Sequence, residues 1–286
     1  MLSDVFRITQ PARQDTSVIF ASPHSGRNYP AAFLAQTNLD RNAIRSSEDA
    51  YVDQLFSAAP GFGAPLLAAL APRAYIDLNR APDELDPAVI AGIARAPHNP
   101  RVSSGLGVIP RVVAGGRAIY QGKLSLAEAE ARITGYWHPY HQALRGLIEA
   151  THLRFGEAVL IDCHSMPHEA LENHTSGASP APDVVLGDRF GAAANREVVD
   201  RVEAAFASAG LRVARNAPFA GAFVAQSYGR PSRRQHVVQI EIDRRLYLDE
   251  ASIQPGPGFA AFRALLAGVI CEIAQIGRPA LPLAAE

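Results

Sequence analysis

Several polar residues of this sequence stand where apolar runs end. His24 follows Ser17–Ser22 (SVIFAS), and His164 follows Ala158–Asp162 (AVLID). Asn79-Arg80 follows an Ile-Asp-Leu run, and Glu241 lies inside Val237–Ile242 (VVQIEI). Asp49, with Glu48 beside it, opens a stretch with helical spacing. Ligands of open α/β sheets bind at the carboxyl ends of strands, so these residues are candidates for one crevice. Their types suit hydrolysis at a metal. A catalytic zinc takes three His or carboxylate ligands and keeps a fourth position for water. The metal acidifies that water and polarises a carbonyl, and a separate carboxylate must move the proton. Two histidines, one ligating carboxylate and one free glutamate meet that requirement. A single histidine after a strand serves equally well as hydrogen-bonded structure, so residue types alone leave both readings open.

The elements that would position these residues alternate. Ser17–Ser22 reads as a buried strand running into a Pro23-His24-Ser25-Gly26 turn. Ser47 is placed to cap a helix from about Glu48 to Ala58, with Tyr51, Val52, Leu55 and Phe56 on its apolar face. Leu66–Leu70 and Ala74–Leu78 read as strands. Ala81 to Gly116 is rich in Pro and Gly, as suits a lid or pocket wall. Ser125 to Phe155 is the longest helical pattern; Ser125 with Glu128 forms a capping box, and Pro139 should kink or split the helix. Ala158–Asp162, Asp183–Leu186, Leu211–Ala214 and Val237–Ile242 are expected strands. Gly191–Ala209 and about Gly258 to Ile276 are expected helices. The alternation predicts an α/β fold, a three-layer α/β/α sandwich with a mixed, mostly parallel sheet. No linker composition divides the chain, so residues 1–286 are expected to form a single domain.

Composition narrows the partners. The chain has 286 residues, 48% hydrophobic and 19% charged, which is a packed globular balance. A net charge of −1 argues against nucleic acid as the main partner. Lys123 is the lone lysine among 27 basic residues. Arginine suits planar recognition of carboxylate, although a coding bias produces the same excess. No apolar run approaches the ~20 residues that span a bilayer, and Met1 to Gln10 has no signal-peptide pattern. With Cys163 and Cys271 far apart and no disulfide framework, a cytoplasmic location is expected.

Other motifs carry less. His168 and His174 are six residues apart, not the HExxH spacing, and read as a polar loop. Cys163 should face away from His164 and pack. Gly105-Leu106-Gly107 lacks the third glycine and the strand–helix context of a dinucleotide site. His138 and His141 are placed to pack or to support a metal-bound histidine. Arg233-Arg234 and Arg244-Arg245 read as solvated surface pairs.

Six fragments in order carry a resemblance. They are Ser22-Pro23-His24-Ser25-Gly26, Glu48 to Leu55 (EDAYVDQL), Tyr75 to Arg80 (YIDLNR), Tyr136 to His141 (YWHPYH), Asp162-Cys163-His164-Ser165 and Gln239-Ile240-Glu241. Together they resemble the N-formylglutamate amidohydrolases, deformylases of histidine degradation, over about residues 17–275. That family is similar to zinc carboxypeptidases and aspartoacylase, so the resemblance implies a zinc-carboxypeptidase-like fold. It also implies a zinc ion, or another divalent metal, held by His24, His164 and a carboxylate. Asp49 matches the family's acidic position, and Glu48 is the neighbouring alternative; three residues after His24, where carboxypeptidases have their acid, stands Arg27. Asn79-Arg80 matches the pair that grips the substrate carboxylate, Arg73 an arginine that polarises the scissile carbonyl, and Glu241 the general base.

One stretch departs from the pattern. Where the family carries a basic His-Ile-Thr-Arg-Arg-like run, this chain has Phe223-Val224-Ala225-Gln226-Ser227 before Tyr228-Gly229-Arg230-Pro231. N-formyl-L-glutamate is the first candidate substrate. A carboxypeptidase or amidase acting on another acyl amino acid or peptide, and a non-enzymatic binder of an acidic metabolite, stand as alternatives.

Overall fold

Seven strands build one sheet: Phe6–Thr9 (β1), Val18–Ser22 (β2), Leu66–Ala69 (β3), Ala158–Met166 (β4), Val184–Gly187 (β5), Val213–Arg215 (β6) and Gln235–Asp243 (β7). These come from a computed structural model that describes residues 5–93, 99–172 and 181–278. The order is β1-β3-β2-β4-β7-β5-β6. The pairs β2–β3, β2–β4, β4–β7 and β5–β6 are parallel, and β1–β3 and β5–β7 are antiparallel. The sheet is thus mixed and mostly parallel, as expected.

Both faces are covered. Val159, Ile161 and Cys163 of β4 join Val238, Ile240 and Ile242 of β7 under the helices Arg196–Ser208 and Phe259–Gln275. On the other face Ala158, Leu160 and Val237 meet Trp137, Tyr140, Leu144 and Ile148 from the long helical stretch. Burying each Ile, Val or Leu contributes about 1.5–3 kcal/mol. A one-residue slip would turn every one of these side chains over, so the β4–β7 register is firmly held. That register pairs Asp162 with Gln239 and His164 with Glu241. All four side chains lie on the face opposite the Cys163–Ile240 core.

The structure corrects several expectations. Ala74–Leu78 is not a strand but a turn whose Tyr75 and Ile76 amides donate to the Pro72 carbonyl. The helix expected from Glu48 begins only at Val52. Ser47 does not cap it; Tyr51, in the left-handed region at φ 64°, precedes it without a side-chain cap. β4 continues through His164, so that histidine is inside the strand. Arg196–Ser208 is shorter than expected at its start. One expectation holds: the long helix is split just before Pro139, where Leu126–Arg132 passes through a π turn, Ile133–Trp137, into His138–Phe155. Ser125 Oγ accepts the Glu128 amide, but the Glu128 carboxylate turns to Arg132 and Gln36 and leaves the capping box half made. The edge strand β1 was not expected. Gly26 is required where the turn after β2 passes the Leu70–Ala71 backbone, because a Cβ there would collide with the Ala71 carbonyl.

Candidate active site

A cavity of about 590 Å³ opens at the carboxyl ends of β2, β4 and β7. His24, His164, Glu241, Arg73, Asn79 and Arg80 all line it. Parts of the Ala81–Gly116 stretch, from Arg101 to Gly116, form its opposite wall; residues 94–98 of that stretch lie outside the described residues.

The two histidines converge on one carboxylate. Asp49 lies in the turn before Val52, where its amide donates to the His24 carbonyl (3.0 Å). Asp49 Oδ2 is 2.9 Å from His164 Nδ1 and 3.4 Å from His24 Nδ1. One ligand atom from each of the three falls within 4.8 Å of the others. The opposite ring nitrogens meet carboxylates: His24 Nε2 is 2.7 Å from Asp77 Oδ1, and His164 Nε2 is 3.1 Å from Asp162 Oδ2. A carboxylate on the outer nitrogen of each histidine is the usual support of a metal-bound imidazole. His24 Nδ1 is buried and has no hydrogen-bond partner among the described residues. An unpartnered buried nitrogen is costly unless it has a ligand, and it faces the other two donors. The residues present therefore fit a divalent cation.

Glu48 turns elsewhere. Arg45 grips its carboxylate through Nε and Nη2 at 3.0–3.1 Å, and the Tyr29 hydroxyl donates to it at 2.6 Å. Asp49 is the neighbour that reaches the histidines.

Charge follows the same geometry. For Asp49, burial would raise the pKa, but the bonds and charges of His164 and His24 outweigh it and hold the carboxyl well below its usual range. Burial would lower His164, but Asp162, Asp49 and Glu241 keep it well above the usual imidazole value. Glu241 goes the other way. Burial pushes it up to about 7, against the pull of His164. Its Oε1 accepts from Gln239 Nε2 (2.8 Å). A glutamate of that pKa suits proton transfer near neutrality.

The two cavity arginines differ. Arg73 Nε donates to Asp77 Oδ2 (3.0 Å). Burial would lower its pKa, but Asp77, Asp49 and Glu241 outweigh that and raise it. Arg80 Nε donates to the Leu106 carbonyl (2.9 Å) and Nη1 to that of Asn79 (3.4 Å). Arg80 Nη2 has no hydrogen-bond partner among the described residues. Burial lowers the Arg80 pKa, with Arg73 and Arg101 adding repulsion that Asp77 and Glu84 do not cancel.

Three functional residues were missed or misread in the sequence. Arg244 is not surface. It is buried, and its Nη2 donates to Asp49 Oδ1 (3.1 Å) and to the Glu48 carbonyl (2.6 Å). It follows β7 directly, so the strand-end rule that singled out His24 would have found it. Asp162 stands two residues before His164 on the same strand face, which is a readable signal. Asp77 carried no local signal, because its segment was read as a strand. Cys163 is buried in the core, as expected. His168 bonds Asp243 at 2.8 Å and is remote from the histidine pair. His174 lies outside the described residues.

Comparison with known proteins bears on this site. Residues 16–248 match the family model of N-formylglutamate amidohydrolase. The chain is 28% identical over 239 residues to an N-formylglutamate deformylase of Pseudomonas aeruginosa, covering 82% of each. It is 29% identical over 236 residues to one of Pseudomonas putida, again covering 82% of each. The crystal structure of an N-formylglutamate amidohydrolase from Ralstonia eutropha superposes with a TM-score of 0.89 at 37% identity, covering 96% of this chain and 98% of that one. A solved structure from Agrobacterium tumefaciens shares the fold at 16% identity, TM-score 0.66, covering 96% of each chain.

Proposed function

The chain belongs to the N-formylglutamate amidohydrolase family, and from that premise we propose that it hydrolyses N-formyl-L-glutamate to formate and L-glutamate with a divalent metal, zinc first, held by His24, Asp49 and His164. The observation that carries this reading is the β4–β7 register, which sets Glu241 beside His164 in a cavity that Arg80 also lines.

The metal, when bound, would acidify a water and polarise the formyl carbonyl. The chain's own residues do the rest. Arg80 pairs its free Nη2 with the substrate α-carboxylate, and Asn79 beside it fixes the backbone from which that guanidinium projects. This sets the formyl group toward Glu241. Glu241 takes a proton from the attacking water as oxygen joins the formyl carbon. It passes that proton to the amide nitrogen as the C–N bond breaks. Arg73, anchored on Asp77, faces the negative charge that grows on the formyl oxygen. Arg244 and the carboxylates Asp77 and Asp162 keep the three ligands in place.

The assay is release of formate and L-glutamate by full-length protein, before and after chelation, with zinc content measured in parallel. Activity lost on chelation and restored by about one zinc per chain supports the reading. Unchanged turnover in metal-free protein refutes it.

A second reading, another N-acyl amino acid on the same machinery, is favoured by residues 223–228. They form a helix that buries Val224 and Ala225 and sets Phe223 against Trp137, so they offer the cavity no cation for a second carboxylate. Comparing N-formyl derivatives of glutamate, glutamine and methionine separates the two readings.

A further inference from the structure

The loop that carries Asp77, Asn79 and Arg80 has no strand partner, yet it is buried. Buried carbonyls outside a sheet must find donors elsewhere. Here the donors come from one direction. Arg132 Nη1 donates to the Tyr75 carbonyl (3.2 Å), His141 Nε2 to that of Leu78 (2.9 Å) and Trp137 Nε1 to that of Arg80 (2.9 Å). The last two bracket Asn79. Asn79 is in turn held at every polar atom of its side chain. Its Oδ1 accepts from the Val224 amide (2.8 Å), and its Nδ2 donates to Asp162 Oδ2 (3.4 Å) and Gln239 Oε1 (3.5 Å), lying 3.1 Å from His164 Nε2.

The two ring donors are themselves locked. A carbonyl only accepts, so His141 carries its proton on Nε2, and Nδ1 accepts from the Tyr228 hydroxyl (2.9 Å). Burial pushes His141 down to about 3, so it stays neutral and its donor does not switch. The Trp137 and His141 rings pack with centroids 3.9 Å apart at a tilt of 33°, and Phe223 packs on both. Trp137 closes the π turn Ile133–Trp137, and such turns are frequent at functional sites.

We propose that Trp137 and His141 are positioning residues: their ring N–H groups clamp the backbone on either side of Asn79, which aims Arg80 at the substrate carboxylate and seats Asn79 against the Asp162–His164 pair. The consequence for Arg80 rests on the function proposed above; the clamp itself does not.

The test uses full-length zinc-loaded protein. Trp137→Phe and His141→Phe keep an aromatic ring and delete the donor, and His141→Gln puts an N–H donor back. One measurement is deuterium uptake in peptides covering residues 74–81, with β4 peptides as the internal control. The other is KM and kcat for N-formyl-L-glutamate. Losing one such bond should speed exchange in 74–81 and raise KM about tenfold, with kcat changed less than about threefold. His141→Gln should recover much of both, and β4 exchange should not move. Wild-type exchange in both Phe variants overturns the clamp. So does a loss confined to kcat, or equal acceleration of β4, which would mean general loosening. Should the wild type not turn over N-formyl-L-glutamate, the substrate reading fails, and the exchange comparison alone decides the clamp.

Discussion

Two groups of cavity residues, a histidine end and an arginine end, are charged on opposite plans. At the histidine end, Asp49, Asp77, Asp162 and Glu241 surround two imidazoles, and their carboxylates outnumber the fixed cations Arg73 and Arg244 that touch them. At the arginine end Arg80 is buried, its Nη2 has no hydrogen-bond partner among the described residues, and its charged neighbours include Arg73 and Arg101 as well as Asp77 and Glu84. The donor set of the first fits a cation, and the second offers a guanidinium with an uncommitted N–H face. Arg73 and Arg80, seven residues apart on one loop, show the difference in their own pKa directions, raised for the first and lowered for the second. An N-acyl amino acid, with its carbonyl at one end and its carboxylate at the other, fits that polarity in one orientation.

The largest effect should come from removing the cation site. His24→Ala and Asp49→Ala should each abolish both zinc retention and turnover, whereas Glu48→Ala should keep zinc, because Arg45 and Tyr29 already occupy its carboxylate. Elemental analysis beside the assay decides this. Zinc kept by Asp49→Ala and lost by Glu48→Ala would reverse the assignment.

Glu241→Gln tests the same end while leaving the ligands alone. It should retain zinc and lose about 10²–10⁴ in kcat. Because Glu241 is held near pKa 7, the wild type should lose kcat/KM as pH falls through about 7, where the base becomes protonated. A pH–rate profile of the variant should lack that limb. A profile that keeps it would move the base elsewhere.

At the arginine end, Arg80→Lys should raise KM sharply, a loss of about 2–3 kcal/mol in substrate binding, since a lysine cannot copy a planar pairing with carboxylate. Zinc content should not change. A substrate with its carboxylate amidated should show little difference between wild type and variant, and a large difference would separate Arg80 from the carboxylate.

Asp77→Asn removes a carboxylate that bonds both His24 and Arg73. Replacing such a supporting carboxylate typically weakens metal affinity about 10–100-fold. Competition with a chromophoric chelator would measure it. An unchanged affinity would make Asp77 a brace for Arg73 alone.

Much of this site was legible before any coordinates. Alternation in VLIDCHS and VVQIEI already assigns His164 and Glu241 to faces opposite Cys163, Ile240 and Ile242, because a strand's period of two leaves no other arrangement. The strand–helix rhythm likewise specified a mostly parallel sheet, and parallel strands put their carboxyl ends together. What the rhythm did not contain was pairing. Ala74–Leu78 has a strand's composition but folds as a turn, since no neighbouring strand takes its carbonyls and side chains from a distant helix do. The choice between Glu48 and Asp49 was equally undetermined locally. Arg45 and Tyr29 claim one, while the His24 carbonyl and Arg244, almost two hundred residues away, orient the other. Side-chain direction along a strand is a local property of the backbone, but which buried charge meets which partner is decided only when remote segments close around it.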